Sequence, residues 1–329
     1  MIYKGGVYTM KNEWKQGFKY GVCYNRNRFD FKLSKNMRDY LRKKKIDPDI
    51  KGSKPTITAL IKRDLCFGDG GLTETGNTVA ISLLPLSKQC YFLNVPLEDL
   101  VLEYCGYPEE AVINHLTSRS KIAYFTENAF GVHIAQFFMF KYQYDIAIKH
   151  NMNLYSIAFT ADDYSRKFIY DEILYNLNEM TEDISVDTIE ENHQLIQKLN
   201  SQYNSTLDFS ITIDINDKVN VSSSEPRDQN GQLMMTFFYQ DIWGIEFYKS
   251  LYSFLGVEFI RKLIKFIIHN PFYYSTGWPD IVVLEKKPYF IEVKTTDKFH
   301  MSQIITMRDV MQKADIPIKC VRVKKVKKA

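Results

Sequence analysis

Gly277-Trp278-Pro279-Asp280-Ile281-Val282-Val283-Leu284 and, after the polar break Glu285-Lys286-Lys287-Pro288, Tyr289-Phe290-Ile291-Glu292-Val293-Lys294 decide the reading of this chain. Two short apolar runs around a Pro-containing polar turn predict adjacent strands of a hairpin. Glu292 and Lys294 are two residues apart, so strand alternation places both on one face and turns Val293 to the other, into apolar packing. Asp280 stands at the mouth of the first strand. In an ordinary hairpin register it falls beside Glu292, so two carboxylates and one ammonium converge at a sheet surface.

Neighbouring carboxylates repel unless positive charge compensates them. A hard divalent cation does this well, because Mg²⁺ takes oxygen ligands and keeps several of its waters. A lysine beside such an ion can orient or activate attacking water, or neutralise charge that develops on a transferred phosphoryl group. The pattern therefore points to metal-assisted phosphodiester hydrolysis, with Mg²⁺ or Mn²⁺ as the cofactor. The competing reading is a solvated hairpin, since Asp, Glu and Lys are ordinary on exposed strand faces.

Working outward, Ser302 can cap a helix running from Met301 to Lys313. Gln303 then sits in its first turn and can lean back toward the carboxylates or bind a phosphate. Ile318–Val323 predicts a last strand beside the Glu292 strand. Strand, strand, helix, strand makes an α/β arrangement on a mixed sheet flanked by helices, with the site at its edge. Upstream, Leu255–Ile268 predicts a helix with Lys262 and Lys265 on its exposed side. Residues 178–236 are polar and read as an insertion or linker, with Ile211–Ile215 the one clear strand candidate.

The spacing of Leu97, Leu100, Val101 and Tyr104 predicts a helix from Pro96, and Pro108-Glu109-Glu110 predicts a second helix start. Glu127 precedes a strongly apolar helix over residues 129–140, and further helical material follows to Tyr175. The N-terminal part is mostly helical, with a strongly basic helix over 35–45 and another over 55–65. Gly68-Asp69-Gly70-Gly71 breaks the second, and Leu72-Thr73-Glu74-Thr75-Gly76 follows. This order reads either as a winged-helix-like element or as a packing helix with a small hairpin. The expected division is a basic, DNA-binding region over residues 1–100 and a catalytic domain over 101–329.

A chain of 329 residues that is 45% hydrophobic can bury one large core or two smaller ones. The net charge is only +4. Its positive residues cluster early, around Arg42-Lys43-Lys44-Lys45, and late, around Arg322 and Lys324. Such clusters suit a nucleic-acid path, and equally suit two solvated patches. Five scattered cysteines without a zinc spacing read as reduced thiols in a cytosolic setting. Charges throughout residues 1–20 argue against a signal peptide, and Ile264–Ile268 is too short to span a membrane.

The quoted residues resemble the PD-(D/E)xK nuclease superfamily, and more closely its VRR-NUC branch, typified by the Fanconi-associated nuclease. The likeness is carried by Gly277-Trp278-Pro279-Asp280 with its apolar run, Glu292-Val293-Lys294, and Gln303 opening a helix. It extends to Phe254–Asn270 and to Glu127-Asn128-Ala129-Phe130, although Asn128 stands where the family has glycine. The interval from Lys294 to Gln303 is about one residue shorter than the family's.

That resemblance implies a restriction-endonuclease-like fold. It implies metal ligation by Asp280, Glu292, the backbone carbonyl of Val293 and a fourth acid, Glu127, for which Glu110 is the runner-up. It also implies that Lys294 supports the nucleophilic water. The function implied is a metal-dependent nuclease acting on flapped or branched DNA in repair or recombination, in the cytoplasm or, in a eukaryote, the nucleus. A restriction-type or junction-resolving endonuclease, a homodimer in the latter case, and a non-catalytic nucleic-acid-binding protein are the alternatives.

Overall fold

The structure, a computed structural model, describes residues 33–126, 130–149, 176, 178–204, 209–213, 219–223, 243–269 and 277–326. In chain order the helices and strands before the hairpin are α1 (Lys35–Ile46), α2 (Lys54–Ile61), α3 (Glu74–Ser82), α4 (Leu86–Phe92), β1 (Leu97–Leu102), α5 (Pro108–Thr117), β2 (Ile122–Phe125), α6 (Phe130–Phe138) and α7 (Phe140–Lys149). Then come α8 (Val186–Asn204), β3 (Phe209–Ile213), β4 (Val219–Ser223), α9 (Ile245–Leu255) and α10 (Val257–His269). The hairpin strands β5 (Ile281–Leu284) and β6 (Tyr289–Lys294), the short helix α11 (Met301–Ile305) and β7 (Ile318–Lys325) complete the order.

Five strands form one mixed sheet in the order β1-β7-β6-β5-β2. The hairpin is antiparallel, β2 runs antiparallel to β5, and β7 runs parallel to both β6 and β1. β5 is buried along its whole length, which explains its unbroken apolar sequence. On one face, Val112 and Leu116 of α5 pack against Ile281, Val283, Ile291, Val293, Val321 and Val323. That face is sealed by hydrocarbon, so the charged residues of β6 belong to the other. This mixed sheet flanked by helices is the α/β architecture expected of a restriction-endonuclease-like fold.

The chain forms two compact units, one made of residues 1–132 and 270–329, the other of 133–269. The first holds the sheet and also α1–α4, whose core is Met37, Tyr40, Leu41, Leu60, Leu65, Cys66, Val79 and Ala80. Ser34 caps α1 by accepting from the Met37 amide, and Lys43, Lys44 and Lys45 sit in its last turn, where the helix dipole favours cations. Between α2 and α3 the described strand pairing is an isolated bridge from Cys66 to Leu72. The segment is therefore a helical layer with a tight glycine turn, and no two-stranded wing is found among the described residues.

The second unit is built on aromatic packing, with Phe137 and Tyr248 stacked at 3.5 Å between centroids. Buried Asn192 donates to the Phe137 carbonyl (2.8 Å) and accepts from the Lys141 amide (3.1 Å). It thereby satisfies backbone groups freed at the break between α6 and α7. No described helix is long and apolar enough to cross a membrane.

Several elements differ from expectation. Leu97–Leu102 is a strand and not a helix. Its parallel ladder to β7, with the cross-strand pairs Lys319–Glu98 and Arg322–Asp99 at 2.7 Å, outweighs a period that six residues are too few to fix. Val186–Asn204, inside the stretch read as a polar linker, is a helix of 19 residues. Among its residues whose burial is described, the buried ones are Ile189, Asn192 and Ile196, a stripe too narrow to stand out in a polar sequence. The expected helix over 255–268 is present as α10 and starts at Val257, because Gly256, with a φ of 77°, ends α9 just before it. The helix after the hairpin is α-helical only over Met301–Ile305 and continues as a π-helix over Thr306–Met311.

Gly76 makes the helical layer testable. A Cβ there would lie 1.8 Å from the Leu65 carbonyl oxygen, a backbone atom that also accepts from the Thr73 amide. Overpacking of this kind costs about 1–3 kcal/mol. Gly76→Ala is therefore expected to lower the thermal unfolding midpoint by several degrees. Gly68→Ala, where a Cβ meets nothing within 4 Å, serves as the control. Equal midpoints for the two variants would contradict this packing.

Candidate active site

Residues Ile281 and Ile291 are paired in the hairpin, so one step further along Asp280 stands opposite Glu292. An Asp280 carboxylate oxygen accepts from the Val293 amide at 2.7 Å, tying the mouth of β5 to β6. On β6, Lys294 Nζ lies 2.6 Å from Glu292 Oε1 and 3.4 Å from Asp297 Oδ2. Asp280, Glu292 and Lys294 are 4%, 0% and 5% exposed, so this is not the solvated hairpin of the competing reading.

Burial alone pushes the Lys294 ammonium toward losing its proton. The Glu292 carboxylate, through charge and hydrogen bond, and then Asp280 and Asp297 outweigh it and hold the pKa above the ordinary lysine value. Gln303 joins from α11. Its amide nitrogen donates to Glu292 Oε1, while its amide oxygen accepts from the His300 amide at 2.9 Å. One side chain thus closes the first turn of the helix and reaches the buried carboxylate.

The motif residues around Asp280 are fixed by close contacts. Gly277 has a φ of 84°, and a Cβ there would lie 2.3 Å from the Ser302 carbonyl, so only glycine lets the segment leading into β5 approach α11. Trp278 is buried against Phe130, with ring centroids 5.4 Å apart, and Phe130 meets Phe290 edge-on at 4.9 Å. Gly131 is the seat of the indole, since a Cβ there would come within 2.4 Å of it. Thr126 accounts for the other side: its amide donates to the Asp280 carbonyl (2.7 Å) and its hydroxyl to the Pro279 carbonyl (2.9 Å).

Asp280, Glu292, Lys294 and Gln303 are therefore brought together. The Val293 side chain packs in the hydrocarbon layer on the opposite face. Glu127 lies outside the described residues, immediately after the Thr126 that is bonded to the Asp280 backbone. Glu110 is exposed on α5, whose Val112 and Leu116 face the sheet. Arg322 pairs in register with Lys294 on the neighbouring strand, which places it on the site face. Arg322 and Lys324 both bind Asp99, at 2.7 and 2.6 Å, and hold its carboxyl well below the usual carboxylate range. Lys262 is exposed and Lys265 half-buried on α10. Asp297, and Gln89 behind the site, carry no sequence signal of their own.

Among the described residues, no three His, Cys, Asp or Glu side chains are grouped to hold a metal ion. The two buried carboxylates supply oxygen donors only. That set fits Mg²⁺ or Mn²⁺, which are often held by one or two carboxylates and waters, and not the nitrogen and sulfur ligands of a structural zinc site.

No family model and no curated protein matches this chain. Solved structures similar to it include two crystal structures of paFAN1 on DNA carrying a 5′ flap and a gap. With the two-nucleotide flap the identity is 12%, the TM-score 0.49, and the match covers 98% of this chain and 54% of that one. With the one-nucleotide flap the values are 13%, 0.47, 96% and 57%. The likeness is distant, and this chain spans little more than half the length of either.

Lys294→Met would leave the Glu292 carboxylate buried beside no ammonium, and removing one partner of a buried pair costs about 3–5 kcal/mol. The raised Lys294 pKa means this contribution is present below the ordinary lysine pKa and lost only as pH rises through the folded value. Urea unfolding at any pH from about 7 to 9 should therefore show the same deficit for the variant. Adding Glu292→Met should recover much of it. A variant as stable as wild type would contradict the buried pair.

Proposed function

We propose that this chain is a metal-dependent nuclease that hydrolyses phosphodiester bonds in DNA, with Asp280, Glu292 and Lys294 as its catalytic centre. One observation carries the reading: two carboxylates and a lysine, nearly unexposed, meet at the C-terminal end of β6 with Gln303 donating to one of them. A buried charge cluster of this kind is costly to the fold, and perturbed, desolvated groups gather where chemistry is done.

In this reading Asp280, Glu292, the Val293 carbonyl and Glu127 hold Mg²⁺ or Mn²⁺. When bound, that ion would supply positive charge to polarise the phosphodiester and to acidify water. Lys294 enters as an ammonium, so it donates: it orients the attacking water and stabilises charge that builds on the phosphate. Asp280 is held in place by the Val293 amide, and Glu292 by Lys294 and Gln303, so the carboxylates need little reorganisation before reaction. Gln303 also offers a donor toward the phosphate or leaving group.

DNA is the proposed partner. Arg322 lies one strand from Lys294 on the same face, and Asp99, its exposed counter-ion, can yield to a backbone phosphate at little cost. Lys298, in the loop between Lys294 and Gln303, is held below the ordinary lysine pKa by burial and then by Arg42 of α1. Two cations kept this close suit a polyanion. Preference for flapped or branched duplex, and a place in repair or recombination, rest on the sequence resemblance alone.

The test is cleavage of end-labelled single strand, duplex, 5′ flap, 3′ flap and four-way junction with Mg²⁺, Mn²⁺ or EDTA. Asp280→Ala is expected to lose at least 10²–10³-fold, the range for a single electrostatic stabiliser, with DNA binding kept. Glu127→Ala should lose rate or shift toward Mn²⁺. Cutting at discrete duplex sites would replace the flap assignment with a restriction-type one, and junction cutting with a resolvase. Tight binding without any cutting would replace the nuclease with a binding protein.

A further inference from the structure

Gln89, on α4 and distant in sequence from every catalytic candidate, is completely buried. Its amide oxygen accepts from the Phe299 amide at 2.7 Å. Its amide nitrogen donates toward the carbonyls of Phe299 (3.3 Å), Ile81 (3.1 Å) and Ser82 (3.2 Å). Burying a glutamine is favourable only when its polar atoms are satisfied, and a leucine or methionine would fill the same space without that requirement. Here the amide grips Phe299 at both backbone atoms, as a neighbouring strand would, and anchors that grip to the end of α3.

Phe299 is itself buried, and the residue after it is His300. The His300 amide donates to Gln303 Oε1 at 2.9 Å, which orients the Gln303 amide so that its nitrogen faces Glu292 Oε1. The bonds thus run without interruption from Gln89 through the Phe299–His300 backbone and Gln303 to the buried carboxylate. The same layer grips α11 and its extension at other points. Met301 packs against the core of α1–α3, Arg308 donates to Thr78 of α3 at 2.6 Å, and Gln312 donates to the Leu93 carbonyl.

We propose that Gln89 is a positioning residue that sets the Gln303 amide, and through it the Glu292 carboxylate, for metal binding and catalysis. The inference rests on the nuclease reading above. It makes the helical layer over residues 35–93 part of the catalytic machinery, whatever DNA contacts that layer also makes. Gln89 reaches the site through one backbone segment, so its loss should look like the loss of Gln303. Partners one step behind a metal ligand are commonly worth about 10–100-fold in metal affinity or activity.

The experiment is a double-mutant cycle on the full chain with Gln89→Leu, Gln303→Ala and both. Two quantities are read: Mn²⁺ affinity by electron paramagnetic resonance without DNA, and kcat and KM for the best-cleaved substrate. The expected result is that each single variant weakens Mn²⁺ binding and lowers kcat by about 10–100-fold with KM little changed, and that the double variant is no worse than either. Additive losses, or a lowered unfolding midpoint with Mn²⁺ affinity and kcat intact, would overturn the proposal and leave the nuclease reading standing. A wild-type chain that neither binds Mn²⁺ nor cleaves would remove both. Should Gln89→Leu not fold, Gln89→Met keeps the unbranched shape and much of the volume without the amide, and the cycle is read on it with the same outcomes.

Discussion

The ion pair of Glu292 and Lys294 on the hidden face of β6 is the constraint to which the surrounding structure answers. Two charges out of water are tolerated when they meet each other in good geometry and further hydrogen bonds support them. Lys294 reaches both Glu292 and Asp297, and Glu292 also receives Gln303. The opposite face of the same strand is sealed by α5, so the pair cannot escape by a shift of register, which would drive both charges into hydrocarbon.

From that constraint the neighbouring features follow. Asp280 needs the last rung of the hairpin to stand beside Glu292, and the Thr126 and Val293 bonds hold it there. Gln303 needs a helix start within reach of β6, and Gly277 allows it because no side chain intervenes between the strand and the Ser302 backbone. The loop from Thr295 to His300 must be rigid if that helix start is to be rigid, and Gln89 grips it at Phe299. A polar cluster in the interior of one unit is thus supported at each side by backbone hydrogen bonds and not by packing alone.

Much of this was legible because it rests on short-range rules. Alternation put Glu292 and Lys294 together and Val293 opposite, the turn set Asp280 against Glu292, and a first-turn glutamine pointed back at the strand. What was hidden depends on partners far along the chain. Leu97–Leu102 is a strand only because β7 lies beside it, and its apolar residues suit a helix equally well. Among the described residues of Val186–Asn204, buried Ile189, Asn192 and Ile196 stand amid polar neighbours that dominate the pattern. Gln89 lies 210 residues from Phe299, and no local period or motif announces a contact of that length. Glu127 is adjacent to the Thr126 anchor, and its role stays with the proposal.

The most direct measurement is a crystal of the protein grown with Mn²⁺ and recorded for anomalous scattering at the manganese edge. The account predicts an anomalous peak between the carboxylates of Asp280 and Glu292, lost in Asp280→Ala. A fully active protein whose manganese lies elsewhere, with no peak at these two carboxylates, would contradict it.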